Sequence, residues 1–372
     1  MHGYLLVHSL KNNTFAKTSF MKKFFKFIKI TFFSILAIIG LLSLYFFISN
    51  RIFIGNTNAE NIAYLKLHKT EIKDRIVDSL FDNSFYNSDI FLLGEIHGYA
   101  DNQKLDKELL FYLNKKLGVK YYIAEMDSTN ANKLNSFLSK PLKDNALLKD
   151  VVSSIRKRIP QQSSLELHQK WGEIYDYNRN LPDSAKITVI GIDKSFTADK
   201  SAVPRDSAML LNLEFYIKNH HIDGQKLYGL FGFFHVLQKG KDATNDPFAT
   251  RLKNKGYKVS SFVSYTIASE MYLPKHPQFP TPADEKVDWV NADGPLMLVK
   301  GIQDLKELSR PNSISLFKLN AAHSPYATSQ NLITVKSRLF GENIIPAEKT
   351  HTTDFFQYVF LLRNSKALTK LD

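Results

Sequence analysis

Short apolar runs alternate with amphipathic segments over most of the chain after residue 85. Residues 89–94 form a mostly apolar run of the kind found in strands that are buried on both faces of a sheet. Leucines then recur at a spacing of four and end at a glycine, which predicts a helix over Leu105, Leu109, Leu113, Leu117 and Gly118. Further strands are predicted at 121–124, 187–192, 227–231 and 257–265. This alternation predicts an α/β fold with a mainly parallel β-sheet and helices on both faces.

The last third of the chain continues the sheet and adds one long connection. Apolar runs predict late strands at 295–299, 314–319 and 357–362. The segment Tyr272–Gly294 carries four prolines and predicts a long loop, which either covers a site as a lid or only connects two elements. Before this segment, Pro204 begins a predicted helix that is apolar on nearly all sides and is expected to be deeply buried. Its apolar residues are Met209, Leu210, Leu211, Leu213, Phe215 and Ile217.

A separate apolar run, Ile30–Ile48, contains no charged residue. As a helix it would span roughly 30 Å, the thickness of the hydrocarbon core of a bilayer. Lysines before the run outnumber the single Arg51 after it, which predicts a cytoplasmic N-terminus and a main domain outside the cytoplasmic membrane. The alternative is a cleaved signal peptide that begins at Met21. We favour a single uncleaved transmembrane helix, because the run is long and no small-x-small cleavage site follows it.

Composition narrows the classes of protein that remain. The chain has 372 residues, of which 44% are hydrophobic and 13% aromatic, enough for a large core and incompatible with wholesale disorder. It has no cysteine, which excludes disulfides, thiolate metal sites and a cysteine nucleophile. The net charge is +13, and residues 1–51 hold seven basic residues and no acidic one. We therefore assign the basic excess to the membrane anchor and expect no nucleic acid as a partner.

Ionisable side chains follow four of the predicted strands, at the point where each strand ends. They are Glu95 and His97 in Gly94-Glu95-Ile96-His97-Gly98, Glu125 after the second strand, Asp193 after the third, and His235 after the fourth. Ligands of open α/β sheets bind beyond the carboxyl ends of the strands. The sequence therefore predicts one site that gathers these side chains.

Each of these residues also has a purely structural interpretation. His97 and His235 could be packed core histidines, Asp193 could cap a helix, and Glu125 could be the structural partner of an arginine. Two glycines favour a ligand beside His97, because Gly94 and Gly98 would let a ligand approach the backbone closely. Arg205 follows Pro204 at a helix start, where a cation is disfavoured. It either pairs locally with Asp206 or points into the cleft toward a carboxylate or a substrate anion.

These elements together resemble the erythromycin esterase family. The shared elements cover roughly residues 85–265, and residues 357–366 are similar to the closing strand of the family. Within 85–265 the residues that carry the resemblance are Gly94-Glu95-Ile96-His97-Gly98, Glu125, Trp171, Tyr177-Asn178, Gly191-Ile192-Asp193, Pro204-Arg205-Asp206-Ser207-Ala208-Met209, Asn212 and His235. The single residue between Glu95 and His97 is similar to the related haem-binding-uptake and Tiki-type branch, which includes metal-dependent proteases. Phe233 and Phe234 stand where the erythromycin esterases often have a second histidine.

The residues and the resemblance support a membrane-anchored hydrolase of an ester or related acyl bond. His97 would take a proton from water, oriented by Glu95 or Glu125, and His235 and Arg205 would stabilise the negative charge on the acyl oxygen. The sequence contains no Gly-x-Ser-x-Gly elbow, so direct attack by water is favoured over a serine acyl-enzyme. This mechanism requires no cofactor.

Two alternatives use the same residues. A metal-dependent hydrolase of the Tiki type would bind a divalent ion through His97, His235, Glu95 and Glu125. A non-enzymatic protein would bind haem or another small ligand in an aromatic pocket near the histidines. In the catalytic interpretations the substrate is a small molecule or a component of the cell envelope.

The sequence predicts four successive regions. Residues 1–29 form a basic cytoplasmic tail, 30–50 the transmembrane anchor that contacts the lipid bilayer, and 51–84 a spacer with a leading helix. Residues 85–372 form the α/β domain that resembles the erythromycin esterases.

Overall fold

The computed structural model describes residues 3–73, 75, 76, 78–196, 202–240, 246–275, 281–338 and 343–371, and side chains from Met21 onward except at positions 22 and 80. The chain divides into two compact units, Met1–Phe53 and Ile54–Asp372.

The first unit consists of one helix, α1, over Gly3–Ile54. Its part Lys23–Ile54 is long and apolar enough to cross a membrane, and none of its most apolar stretch is buried within the protein. Length and composition alone support this candidate span. The predicted transmembrane orientation and the predicted region boundaries stay predictions.

The second unit alternates helices and strands. Its helices are α2 Ala59–Leu67, α3 Asn83–Tyr86, α4 Ala100–Leu117, α5 Ser128–Ser139, α6 Asn145–Ser154, α7 Leu165–Arg179, α8 Arg205–His220, α9 Phe248–Asn254 and α10 Ile302–Glu307. Its strands are β1 Lys69–Ile72, β2 Ile90–Glu95, β3 Tyr121–Ala124, β4 Thr188–Gly191, β5 Leu227–Gly232, β6 Val259–Ile267, β7 Met271–Tyr272, β8 Lys286–Val287, β9 Met297–Val299, β10 Ile314–Lys318, β11 Val335–Ser337 and β12 Tyr358–Arg363.

Eight of these strands form one central sheet in the order β1-β10-β12-β6-β2-β5-β3-β4. The six strands from β12 to β4 are parallel, and β10 runs antiparallel to both of its neighbours. The predicted fold class, a mainly parallel sheet with helices, is confirmed. Strand β1 lies within the segment predicted as a spacer. Its sequence, Lys69-Thr70-Glu71-Ile72, has no apolar run that would have predicted a strand.

The connections place helices on both faces of the sheet. On one face, Tyr122, Tyr228 and Leu230 join a core that includes Leu109 of α4 and Trp171 of α7. On the other, Phe231 packs on Phe248 of α9, with ring centroids 5.4 Å apart. Adjacent residues of β5 therefore point to opposite helical layers, which explains why the parallel strands read as continuous apolar runs.

Two expectations from the apolar pattern need correction. Helix α8 buries Met209, Leu213 and Ile217, but Leu211 and Phe215 are 57% and 70% exposed. The helix therefore has one buried face, although its sequence is apolar on several sides. The segment predicted as a long loop contains the hairpin of β7 and β8. Residues 276–280 of that segment lie outside the described residues.

The register of the central strands aligns the predicted strand ends. Glu95 of β2 pairs with Gly232 of β5, and Ala124 of β3 pairs with Gly191 of β4. Because β2, β5, β3 and β4 are consecutive in the sheet, their carboxyl ends share one edge. This edge carries the candidate site.

We predict that Gly229→Ala lowers the free energy of unfolding by about 1–3 kcal/mol, the usual cost of an added methyl group in a packed core. A methyl group on Gly229, in the middle of β5, would lie 2.1 Å from the carbonyl oxygen of Ile123. The matched control is Gly172→Ala in α7, where the nearest atom is Nζ of Lys143 at 3.8 Å. The control is expected to stabilise the helix by about 0.5–1 kcal/mol. Chemical denaturation of both variants measures the difference, and an equal effect would contradict the packing of β5 described above.

Candidate functional site

The first group of polar side chains at this edge is a histidine held by a buried glutamate. Nδ1 of His97 lies 2.9 Å from Oε1 of Glu95, two residues earlier on the extended end of β2. Gln162 donates from Nε2 to the same glutamate oxygen at 2.5 Å. The other oxygen, Oε2, is buried and accepts no hydrogen bond from the described residues. This arrangement leaves Nε2 of His97 to face the site.

The second group is a buried clamp around Arg205. Its guanidinium donates to Asp193 from Nε and Nη2, with the shortest contact at 2.6 Å. Nη2 also donates to Oε1 of Glu125 at 2.7 Å. Both carboxylates are buried, whereas the arginine side chain is 29% exposed. The clamp therefore ties the ends of β3 and β4 to the first residue of α8. Arg205 points into the cleft, as one of the two interpretations predicted.

The third group is His235, which lies in a 3₁₀ turn over Phe233–Val236 directly after β5. Its Nδ1 is 2.6 Å from Oδ1 of Asp206, which also accepts from the backbone N–H of Phe248. Its Nε2 is 3.3 Å from Nη1 of Arg205 and 3.5 Å from Oε1 of Glu125. Asp206 thus pairs with His235, and the local Arg205–Asp206 pair that the sequence left open is not the arrangement observed.

The two imidazoles flank Gly232. A methyl group at this glycine would lie 3.3 Å from Nε2 of His97 and 3.5 Å from Cδ2 of His235. The backbone N–H of Gly232 donates to Oε2 of Glu125 at 2.7 Å. The absence of a side chain at Gly232 therefore lets both rings face the same small space. All five predicted site residues lie around this space, while their catalytic roles stay predictions.

Charge and burial shift the pKa values of these groups. Burial lowers the pKa of His97, but the hydrogen bond to Glu95 and its charge outweigh burial and raise the pKa above 6.5. Burial likewise lowers the pKa of His235. The hydrogen bond to Asp206 and the charge of Glu125 outweigh burial, so the pKa of His235 is raised. Burial raises the pKa of Glu125, yet the neighbouring positive charges of His235, His97 and Arg205 hold it below its ordinary value.

An apolar cavity of about 290 Å³ adjoins the first group of side chains, with Glu95 and His97 in its wall. The rest of its wall is mainly apolar and includes Phe233, Tyr265, Met271, Val290 and Met297. Of the predicted loop Tyr272–Gly294, Val290 lines the cavity, and both interpretations of the loop, a lid or a connection, stay predictions.

The glycines beside His97 have a different role from the one expected. A methyl group on Gly98 would lie 2.7 Å from both Cγ of Met271 and the carbonyl oxygen of Tyr272. One on Gly94 would lie 2.3 Å from Cγ2 of Val236. The two glycines thus admit other parts of the chain rather than a ligand, and the positive φ of Gly98, 109°, favours glycine as well.

The guanidinium of Arg205 lies among the side chains that the metal alternative would use. No group of three or more His, Cys, Asp or Glu side chains is arranged to hold a metal ion in the described part of the chain. Glu125 is already bound by the guanidinium of Arg205, whose positive charge lies 3.3 Å from Nε2 of His235. A cation bound by these residues would be repelled by the arginine. The metal and haem alternatives are not tested by these contacts and stay predictions.

Several other residues of the resemblance hold the backbone in place. Asn178 donates to the carbonyl of Ile187 and accepts from its N–H, and Asn212 donates to the carbonyl of Ile192. Trp171 is buried in the core. Gln162 was not among the predicted site residues, because it lies in the short turn Pro160–Gln162, where no sequence pattern marks it.

Comparisons with known proteins agree with the fold. No family model and no curated protein matches the sequence. A Bacillus cereus crystal structure matches with a TM-score of 0.57 and 11% identity, over 84% of this chain and 99% of the other. A succinoglycan biosynthesis protein matches with a TM-score of 0.56 and 12% identity, over 83% and 98%.

The third structure is a histidine-to-asparagine variant of the erythromycin esterase EreC in its open conformation. It matches with a TM-score of 0.52 and 11% identity, over 77% of this chain and 93% of the other. At these identities the similarity concerns the fold. The resemblance to the erythromycin esterases is therefore confirmed at the level of the fold, which this chain shares with a hydrolase.

We predict that Arg205→Met lowers the free energy of unfolding by about 3–5 kcal/mol, because it removes the cation that binds both of the buried carboxylates Glu125 and Asp193. The matched control is Arg310→Met. Arg310 also binds a carboxylate, that of Glu71, through Nε and Nη2, but the side chain of Arg310 is 70% exposed. Its loss is expected to cost less than about 1 kcal/mol. Chemical denaturation compares the two, and similar losses would show that the clamp does not stabilise the sheet edge.

Proposed function

We propose that the chain is a hydrolase that cleaves an ester or related acyl bond by attack of water that His97 activates. The observation that carries the proposal is the pairing of His97 with the buried Glu95, which orients Nε2 toward a space shared with His235. Two further features support it: the guanidinium of Arg205 lies beside His235, and the fold is shared with an erythromycin esterase.

The proposed reaction begins with a water molecule between Nε2 of His97 and the carbonyl carbon of the substrate. As the water oxygen attacks, its proton moves to Nε2, and Glu95 stabilises the resulting imidazolium through Nδ1. The negative charge that forms on the carbonyl oxygen is stabilised by Nη1 of Arg205 and by protonated His235. The tetrahedral intermediate then expels the alcohol, which takes the proton back from His97, and a carboxylic acid remains.

Glu125 and Asp193 have a different role in this scheme. Both are bound by Arg205, and Glu125 also accepts from the backbone of Gly232. They fix the position of the guanidinium relative to His235, so that little reorganisation is needed when charge develops. We further propose that the apolar part of α1 anchors this activity in the cytoplasmic membrane, with the α/β domain outside.

We predict that His97→Ala lowers kcat/KM for acyl ester hydrolysis by about 10²–10⁴-fold, the usual contribution of a general base. The assay uses the full chain in lipid nanodiscs and a panel of chromogenic acyl esters, together with peptide substrates. His220→Ala is the matched control, because this histidine lies on the exposed side of α8 and contacts Tyr216. Full activity in the His97 variant, or a wild-type chain that cleaves none of the panel, would contradict the proposal.

The pH dependence follows from the raised pKa values of the two histidines. His97 must be neutral to accept a proton, so kcat/KM rises as the pH passes through its pKa, above 6.5. His235 must be protonated to stabilise the oxyanion, so kcat/KM falls as the pH exceeds its raised pKa. We predict a bell-shaped profile whose apparent pKa values belong to the coupled pair.

Two variants separate the limbs of this profile. Glu95→Gln removes the charge that raises the pKa of His97 and is expected to move the acid limb to lower pH. Asp206→Asn removes the main partner of His235 and is expected to move the basic limb to lower pH. The common neighbours Glu125 and Arg205 remain in both variants. Measurement of kcat/KM against pH checks this, and limbs that stay in place in both variants would refute the assignment.

A further inference from the structure

We propose that the apolar cavity beside His97 binds the hydrocarbon chain of the acyl group, so that the substrates are esters of medium-chain fatty acids. This inference rests on the proposed hydrolase function and specifies its substrate class. The charged groups around Gly232 do not by themselves select a substrate with a hydrocarbon chain. The evidence comes from the wall of the cavity, its volume and its continuity with His97.

The wall of the cavity is apolar except at the end that holds Glu95 and His97 and at Gln161 and Ser337. Its apolar side chains come from five separate parts of the chain, among them Phe233, Tyr265, Met271, Val290, Met297 and Val335. Five of these, Tyr265, Met271, Val290, Met297 and Val335, are themselves buried, so most of the wall belongs to the core of the domain. Such a wall favours a hydrocarbon group over a sugar or a charged peptide.

The volume sets the length of the group. A cavity of about 290 Å³ is roughly twice as large as an apolar cavity of about 150 Å³ that binds benzene, a ring of six carbons. A straight acyl chain of roughly ten carbons would fill it. Longer chains would have to extend into solvent.

The position of the cavity relative to the imidazoles assigns the chain to the acyl side of the bond. His97 lines the cavity and also faces the space beside Gly232, where the attacking water would lie. The single turn Phe233–Val236 places Phe233 in the apolar wall and His235 among the charged groups. The carbonyl carbon must lie between the two imidazoles, so the chain attached directly to it is the part of the substrate that reaches the cavity.

A series of nitrophenyl esters tests the inference on the full chain in lipid nanodiscs. From acetate through butyrate, hexanoate and octanoate to decanoate, kcat/KM is expected to rise about fourfold for each added methylene, which corresponds to about 0.8 kcal/mol per buried CH₂, and then to level off. If acetate is cleaved in a His97-dependent reaction but kcat/KM does not rise with chain length, the inference is wrong and the proposed hydrolase function stands.

Paired variants locate the effect in the cavity. Ile344 lines it, whereas the adjacent Ile345 does not and is 67% exposed. Ile344→Trp is expected to remove at least the last tenfold of the rise from acetate toward decanoate, while Ile345→Trp keeps the full profile. Met297→Ala enlarges the cavity and is expected to move the optimum to longer chains. An equal effect of the two tryptophan variants would overturn the assignment of the cavity.

A binding measurement decides the matter without turnover. Calorimetry with decanoate and butyrate, corrected for empty nanodiscs, is expected to show much tighter binding of decanoate to the wild-type chain and the loss of this preference in Ile344→Trp. Equal affinities for the two carboxylates would refute the inference, whether or not any ester is cleaved. If decanoate binds selectively but no ester is hydrolysed, the cavity assignment stands and the proposed hydrolase function fails.

Discussion

The ion pairing of Arg205 with the buried Glu125 and Asp193 is the interaction on which the candidate site depends. Without Arg205, the buried carboxylates Glu125 and Asp193 at the ends of β3 and β4 would lose their closest cation, a costly change. Arg205 binds both carboxylates and thereby fixes the start of α8 against the sheet edge. Because Asp206 follows Arg205 in the chain, the same contact places the carboxylate that orients His235. One ion-pair network thus determines the positions of four of the polar side chains around Gly232.

The same network sets the charge state of the site. With Arg205 in place Glu125 stays ionised, and its charge helps to raise the pKa of both histidines despite their burial. Two protonatable rings can therefore exist beside an apolar cavity at a pH where a buried imidazole would normally be neutral. The side-chain hydrogen of Gly232 completes this arrangement, since any larger group would occupy the space that the rings share.

Much of this arrangement could be predicted from the sequence, because it follows from local pattern and sheet geometry. Glu95 and His97 are two residues apart on an extended segment, so their side chains lie on the same side, and the ends of neighbouring parallel strands share one edge. The role of Gln162, the pairing of Asp206 with His235 and the packing of Met271 on Gly98 depend on contacts between residues distant in sequence. The exposure of Phe215 in α8 likewise depends on which face of the helix meets the sheet, and apolar composition does not determine that.

The charged and apolar walls of the cleft are subject to different constraints. Every polar group around Gly232 is a hydrogen-bonded partner of another, so a change at one leaves a buried charge or donor without its partner. The apolar wall has no such pairing: Val335 and Ile344 contribute only shape and volume. Hydrophobic side chains of similar size can replace one another at a small cost in stability, whereas the ion pairs tolerate little change. This difference allows the length of the bound acyl chain to be altered by substitutions in the apolar wall while the geometry of His97, His235 and Arg205 is kept.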